Sequence, residues 1–135
     1  MHNAKRMGSG LIVFYFDLDG LKRVNDTIGH DAGSLMIRRF AELLVATFRK
    51  NDVVARVGGD EFVVLAVGTA TTVVDMLERL ARNVAESNAS GSVPGGISYS
   101  VGHAEVLPRT NTQMDEVIAQ ADKMMYEHKL RKTAA

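Results

Sequence analysis

The chain has 135 residues, 46% of them apolar, and its 16 Lys plus Arg are balanced by 16 Asp plus Glu. That is enough material for one domain with its own core, and it is too apolar for a disordered segment. A formal net charge of zero argues against a basic nucleic-acid footprint, the absence of cysteine excludes disulfides and thiolate metal sites, and no apolar run approaches a membrane span.

No signal peptide is visible, so the composition predicts a cytoplasmic domain with no membrane contact of its own. The apolar pattern starts at Leu11 after a short polar lead, and K-T-A-A closes the chain soon after a helical pattern. Residues 1–135 are therefore expected to be a single domain from a longer sensor protein.

L-I-V-F-Y-F, residues 11 to 16, is apolar on both faces and reads as a central strand. D-L-D-G should end it. From Gly33 to Arg49, Met36, Ile37, Phe40, Leu43, Leu44 and Phe48 fall at helical spacing. Val53 to Val57 and Phe62 to Val67 read as two strands joined by G-G-D-E. Thr71 or Thr72 can cap a second helix carrying Val73, Val74, Leu77, Leu80, Ala81 and Val84 on one face. S-N-A-S-G-S-V-P-G-G is a loop, and Ile97 to Ala104 reads as a fourth strand. Thr112 should start a last helix with Val117, Ile118, Ala121, Met124 and Met125 inward.

The order is β-α-β-β-α-β and then a helix. Right-handed crossovers within one sheet give an α+β, ferredoxin-like arrangement in which the first and third strands are antiparallel neighbours. That topology brings Asp17 and Asp19 to the same sheet edge as Asp60 and Glu61. Taken singly, these acids read as strand ends, and G-G-D as an ordinary hairpin turn. Together, crowded carboxylates repel one another unless a cation sits among them. All-oxygen donors suit Mg²⁺ or Mn²⁺. Glycines let backbone N–H groups approach a phosphate, and Lys22 adds a positive charge nearby. The combination points to phosphoryl or nucleotidyl transfer.

F-D-L-D-G-L-K-R-V-N-D-T-I-G-H-D-A-G, then R-K-N-D-V-V-A-R-V-G-G-D-E-F, and later S-V-G-H-A and A-D-K-M-M-Y-E-H-K resemble the GGDEF family of diguanylate cyclases. The resemblance runs from Leu11 to about Lys129. It implies the adenylyl-cyclase and polymerase-palm type of fold. It implies condensation of two nucleoside triphosphates into a cyclic dinucleotide, with loss of pyrophosphate, by a head-to-head homodimer carrying two divalent cations per active site. Carried over by position, Asp17, Asp60 and the Leu18 carbonyl match metal ligands, and Glu61 matches the second signature acid. Gly58 and Gly59 match the glycines beside the nucleotide, Asn25 matches the residue that reads the base edge, and Lys22 and Lys129 match phosphate contacts. His30 stands where the family has a nucleotide-pocket histidine; a structural histidine is the other reading.

Two positions depart from the pattern. Ser34 stands where the family has an Asp that accepts hydrogen bonds from guanine. A carboxylate only accepts, whereas a hydroxyl donates or accepts and so serves either purine. Losing a charge-assisted hydrogen bond is worth about 1.5–3 kcal/mol, or roughly ten- to a hundredfold in base selectivity. Ser34 resembles the hybrid promiscuous (Hypr) subgroup, which makes cyclic AMP-GMP beside cyclic di-GMP. A strict diguanylate cyclase with guanine still read by Asn25, or an inactive pocket, are the alternatives. In the tail, the Arg expected four residues after Lys129 is missing, and Arg131 or Lys132 are candidates for its role.

R-K-N-D places Arg49 and Asp52 at the RxxD position of the family's product-inhibition site, at the end of the sheet away from the signature. A cyclic dinucleotide bound there would act allosterically; a local helix-end contact is the plainer reading. Two further classes stand against the enzyme: a receptor that only senses cyclic dinucleotide, and a dimerisation domain without ligand.

Overall fold

The structure, a computed structural model, describes residues 10–106 and 113–134. β1 (Gly10–Leu18) is followed by α1 (Leu21–Thr27) and α2 (His30–Thr47). Then come β2 (Val53–Arg56), β3 (Glu61–Gly68), α3 (Ala70–Ser90), β4 (Tyr99–Val106) and α4 (Met114–Ala134). The strands form one sheet in the order β2-β3-β1-β4, with every neighbouring pair antiparallel. The β-α-β-β-α-β order and the pairing of the first and third strands are as the sequence predicts.

β1 is central because it is apolar on both faces. Ile12, Phe14 and Phe16 pack with α2 and α3 through Met36, Phe40, Leu44, Met76 and Leu80. Val13 and Tyr15 face the other way, onto Val117, Ala121 and Met125 of α4. The first core is strongly aromatic: Phe40 packs edge-on against Phe16 at 5.8 Å and against Phe62 at 5.4 Å. Each such buried side chain contributes about 1.5–3 kcal/mol. Phe62 thus anchors the residue after the acidic turn into the main core.

α4 lies very close to β4. A Cβ on Gly102 would overlap the backbone carbonyl of Ala121 and the backbone nitrogen of Met125. This backbone contact, possible only without a side chain, carries the C-terminal end of α4 to the sheet edge where β1 ends.

Several boundaries differ from the sequence reading. α1, for which the sequence reading has no element, forms a seven-residue helix with Val24 as its buried residue. α2 begins at His30 rather than Gly33, after Gly29, whose φ of 132° is a glycine conformation. The cap of α3 is Thr69, not Thr71 or Thr72; the Thr69 N–H donates to Thr72 Oγ1 at 3.0 Å. On α3, Val74 and Ala81 are exposed and Met76 takes the inward place. β4 begins at Tyr99 rather than Ile97. Met124 is partly exposed, though its sulfur accepts the His103 N–H at 3.3 Å. Thr112, the expected start of the last helix, lies outside the described residues.

Candidate active site

The register of β1 against β3 sets Asp17 opposite Glu61, and the Leu18 N–H donates to the Asp60 carbonyl at 2.9 Å. One ligand atom from each of Asp17, Asp60 and Glu61 lies within 4.8 Å of the others. The two acidic stretches converge as the topology requires. Asp17 is 8% exposed. Its Oδ2 accepts from Lys129 Nζ at 2.7 Å, while its Oδ1 is buried and has no partner among the described residues. Burial, opposed by Lys129 and reinforced by Asp60, pushes the Asp17 carboxyl up to about 6. The same contact holds the Lys129 ammonium charged, against the effect of its own burial. The two tendencies oppose each other, and the acidic surroundings decide for Asp17: one lysine does not offset both burial and a neighbouring acid. An orphaned buried carboxylate oxygen in an all-oxygen acidic cluster fits a hard divalent cation, with Asp17, Asp60 and Glu61 as the available donors.

Glu61 is held from two sides. Tyr15 Oη donates to Glu61 Oε1 at 3.1 Å, and a Cβ on Gly58 would lie 2.9 Å from that same oxygen. Burial, then the charge of Glu61, pushes the Tyr15 phenol up to about 12, so it remains a donor. Neither signature glycine has positive φ; Gly58 leaves room for Glu61, and a Cβ on Gly59 would meet open space. The turn is braced by Arg56, whose Nε donates to the Gly58 carbonyl at 3.1 Å and whose Nη2 donates to the Gly59 carbonyl at 2.9 Å.

Asp19, expected in the cluster, is outside it. Its carboxylate accepts from Ser98 at 2.8 Å, Ser100 at 2.9 Å and Lys132 at 2.8 Å, with Lys129 at 3.8 Å. Burial would raise its carboxyl, but the hydrogen bonds from Lys132, Ser98 and Ser100 outweigh it and hold it below the usual value. Lys132 also donates to the Tyr99 carbonyl and lies over the Tyr99 ring. Lys132, not Arg131, therefore reaches the acidic edge.

Asn25 sits on α1 against α2, where a Cβ on Gly33 would overlap Asn25 Oδ1. Ser34, the next residue, is exposed and lines a cavity of about 480 Å³ with Ile37, Val54 and Phe62. Lys22 and His30 are exposed. Arg49 and Asp52 lie at the far end of the sheet. The Arg49 N–H donates to Asp52 Oδ2 at 2.9 Å, and its guanidinium reaches the Val67 carbonyl at 3.4 Å. The pair forms a local turn separate from the acidic edge, without a guanidinium–carboxylate bridge.

Tyr15, Arg56, Ser98 and Ser100 were not picked out from the sequence. For Tyr15 a signal existed: a phenol inside an apolar strand needs a partner for its O–H.

An antiparallel sheet backed by helices, with acids converging where β1 ends and β3 begins, defines an α+β domain of the cyclase-palm type. The family described as "Diguanylate cyclase, GGDEF domain" matches residues 1–135, and the chain belongs to it. It is 32% identical over 127 residues to diguanylate cyclase DgcS of Shewanella oneidensis, covering 93% of this chain and 41% of that protein. It is 34% identical over 130 residues to cyclic di-GMP phosphodiesterase NbdA of Pseudomonas aeruginosa, covering 96% of this chain and 16% of that protein. The chain thus spans less than half the length of either relative. Among solved structures, the GGDEF domain of DgcB from Caulobacter crescentus in complex with c-di-GMP superimposes with a TM-score of 0.78 at 28% identity, covering 94% of this chain and 76% of that one. Among the described residues, no helix is long and apolar enough to cross a membrane.

Proposed function

We propose that this domain is a dinucleotide cyclase that condenses GTP with GTP or ATP, releasing pyrophosphate and forming cyclic di-GMP and 3′,3′-cyclic GMP-AMP. The observation that carries the reading is the convergence of Asp17, Asp60 and Glu61, with Asp17 Oδ1 buried and unpartnered.

The chain's own residues divide the work by position. Gly58 and Gly59 present backbone beside the triphosphate, and Lys22 and Lys129 offer it cations. Asn25 and Ser34 meet the base. Each 3′-oxygen attacks the α-phosphorus held by the other subunit: the O3′–P bond forms, the bond to the β-phosphate breaks, and pyrophosphate leaves. Neither domain reaches its own nucleotide's α-phosphate with that hydroxyl, so the active species is a head-to-head homodimer. Asp17, Asp60 and Glu61, with the Leu18 carbonyl as a further donor, would hold Mg²⁺ or Mn²⁺, which would neutralise charge on the leaving group and acidify the attacking hydroxyl. A cation on Asp17 would displace Lys129 from it, and Lys129 would then be placed to meet phosphate. Arg49 and Asp52 are proposed to hold cyclic dinucleotide as a feedback ligand, in a protein whose reaction takes place in the cytoplasm.

Strict diguanylate cyclase activity is the second reading. It is favoured by the name of DgcS and by Asn25, which packs against α2 where Gly33, the residue before Ser34, leaves room for it. Titrating GTP and ATP with and without Mg²⁺ tests the proposal. Metal-dependent binding of triphosphate supports the enzyme, whereas binding of cyclic dinucleotide alone supports a receptor and rules the enzyme out.

A further inference from the structure

The cavity beside Ser34 holds a second polar group of the right kind for a purine. Ser34 and Arg38 are four residues apart on α2, so they share a face about one helical turn, 5.4 Å, apart. Both line the 480 Å³ cavity, with Ile37, Val54 and Phe62 as its apolar walls and Arg56 across from them. Arg56 is committed to the carbonyls of Gly58 and Gly59. Glu42, one turn beyond Arg38, is engaged by Arg39 at 3.6 Å. Among the described residues, the guanidinium of Arg38 makes no hydrogen bond or ion pair.

We propose that Arg38 reads the O6 and N7 edge of guanine and so supplies the purine selectivity that Ser34 gives up. The inference rests on the nucleotide reading above. A guanidinium presents two parallel N–H donors, and guanine's O6 and N7 are two adjacent acceptors. Adenine offers N7 but places an amine where O6 would be, so the second donor meets a donor. Serine at position 34 meets the Watson–Crick edge without choosing. Arginine one turn on meets the neighbouring edge and does choose. Both subunits carry Arg38, so guanine is favoured at each site: cyclic di-GMP should exceed cyclic GMP-AMP, and a product with two adenines should be the scarcest.

The test uses 7-deaza-GTP, which keeps the Watson–Crick edge and triphosphate of GTP but lacks the N7 acceptor. Binding of GTP, 7-deaza-GTP and ATP is measured calorimetrically with Mg²⁺, in the native chain and in Arg38→Ala. The native chain should bind GTP about tenfold tighter than 7-deaza-GTP. Arg38→Ala should weaken GTP most, by the loss of both acceptors' contacts, weaken 7-deaza-GTP less, by the loss of the O6 contact alone, and leave ATP little changed. Arg38→Lys, which keeps the charge but not the fork, should behave as the alanine variant does. Equal native binding of GTP and 7-deaza-GTP overturns the inference and leaves the cyclase reading standing. Equal weakening of all three nucleotides in Arg38→Ala also overturns it, since Arg38 would then serve the phosphates. Failure of GTP to bind at all removes both.

Discussion

Asp17→Asn should stabilise the metal-free protein at neutral pH while abolishing metal-dependent nucleotide binding. The Asp17 carboxyl is moved from its ordinary 3.8 to about 6 by burial and by Asp60, against the pull of Lys129. At 1.36 kcal/mol per pH unit, its ionised form is disfavoured in the fold by about 3 kcal/mol. The folded state holds the proton more tightly than the unfolded chain. The protonated carboxyl's advantage is therefore full below pH 3.8 and is lost as pH rises through about 6. Asparagine is neutral at every pH and nearly isosteric. Its amide does not replace the ion pair with Lys129, but Lys129 lies 3.8 Å from Asp19 and is not left stranded. The net gain above pH 6 should be about 1–3 kcal/mol. Urea unfolding at pH 4 and pH 8, without metal, reads it directly. The two proteins should be nearly equal at pH 4 and separate at pH 8 with the variant more stable. Millimolar Mg²⁺ should narrow the difference by stabilising the native chain alone. A variant less stable at pH 8 without metal, or a difference independent of pH, would refute this account of the acidic edge.

Tyr15→Phe should leave the fold intact but weaken Mn²⁺ binding about tenfold, measured by electron paramagnetic resonance of the free protein, because Glu61 loses the donor that orients it. Unchanged Mn²⁺ affinity would make Tyr15 a packing residue only. Gly102→Ala forces a Cβ into the backbone of α4 at Ala121 and Met125; it should cost about 3 kcal/mol in chemical unfolding. Gly33→Ala displaces Asn25 from its place against α2, so GTP affinity should fall severalfold in calorimetry with Tm shifted by only a few degrees.

The parts of the fold written in local apolar pattern were readable: β1 from L-I-V-F-Y-F, α2 from Met36, Phe40 and Leu44, and β3 from the run after Phe62. The meeting of Asp17 with Glu61 was readable too, because it follows from strand order once the elements are known. α1 was not, since L-K-R-V-N-D-T shows no periodic face and buries Val24 as its one buried residue. The topology places Asp19 at the same sheet edge as Asp17, Asp60 and Glu61, but its carboxylate stands apart from their cluster. Distant partners decide its place: β1 ends at Leu18, and Asp19 just beyond it is drawn to Ser98 and Ser100, about 80 residues away, and to Lys132 of the last helix. Met124 failed because α4 packs through Gly102, and backbone contact between elements leaves no trace in helical spacing. The cap of α3 moved to Thr69 because three threonines in a short stretch offer equivalent chemistry, and the end of β3 at Gly68 decides among them.

The most direct test of the central claim is product formation. The protein at high concentration is incubated with equimolar ATP and GTP and Mg²⁺, and cyclic products are resolved by mass. The account predicts cyclic di-GMP together with cyclic GMP-AMP, the mixed product falling sharply in Ser34→Asp. No cyclic dinucleotide at any protein concentration, despite metal-dependent GTP binding, would contradict it.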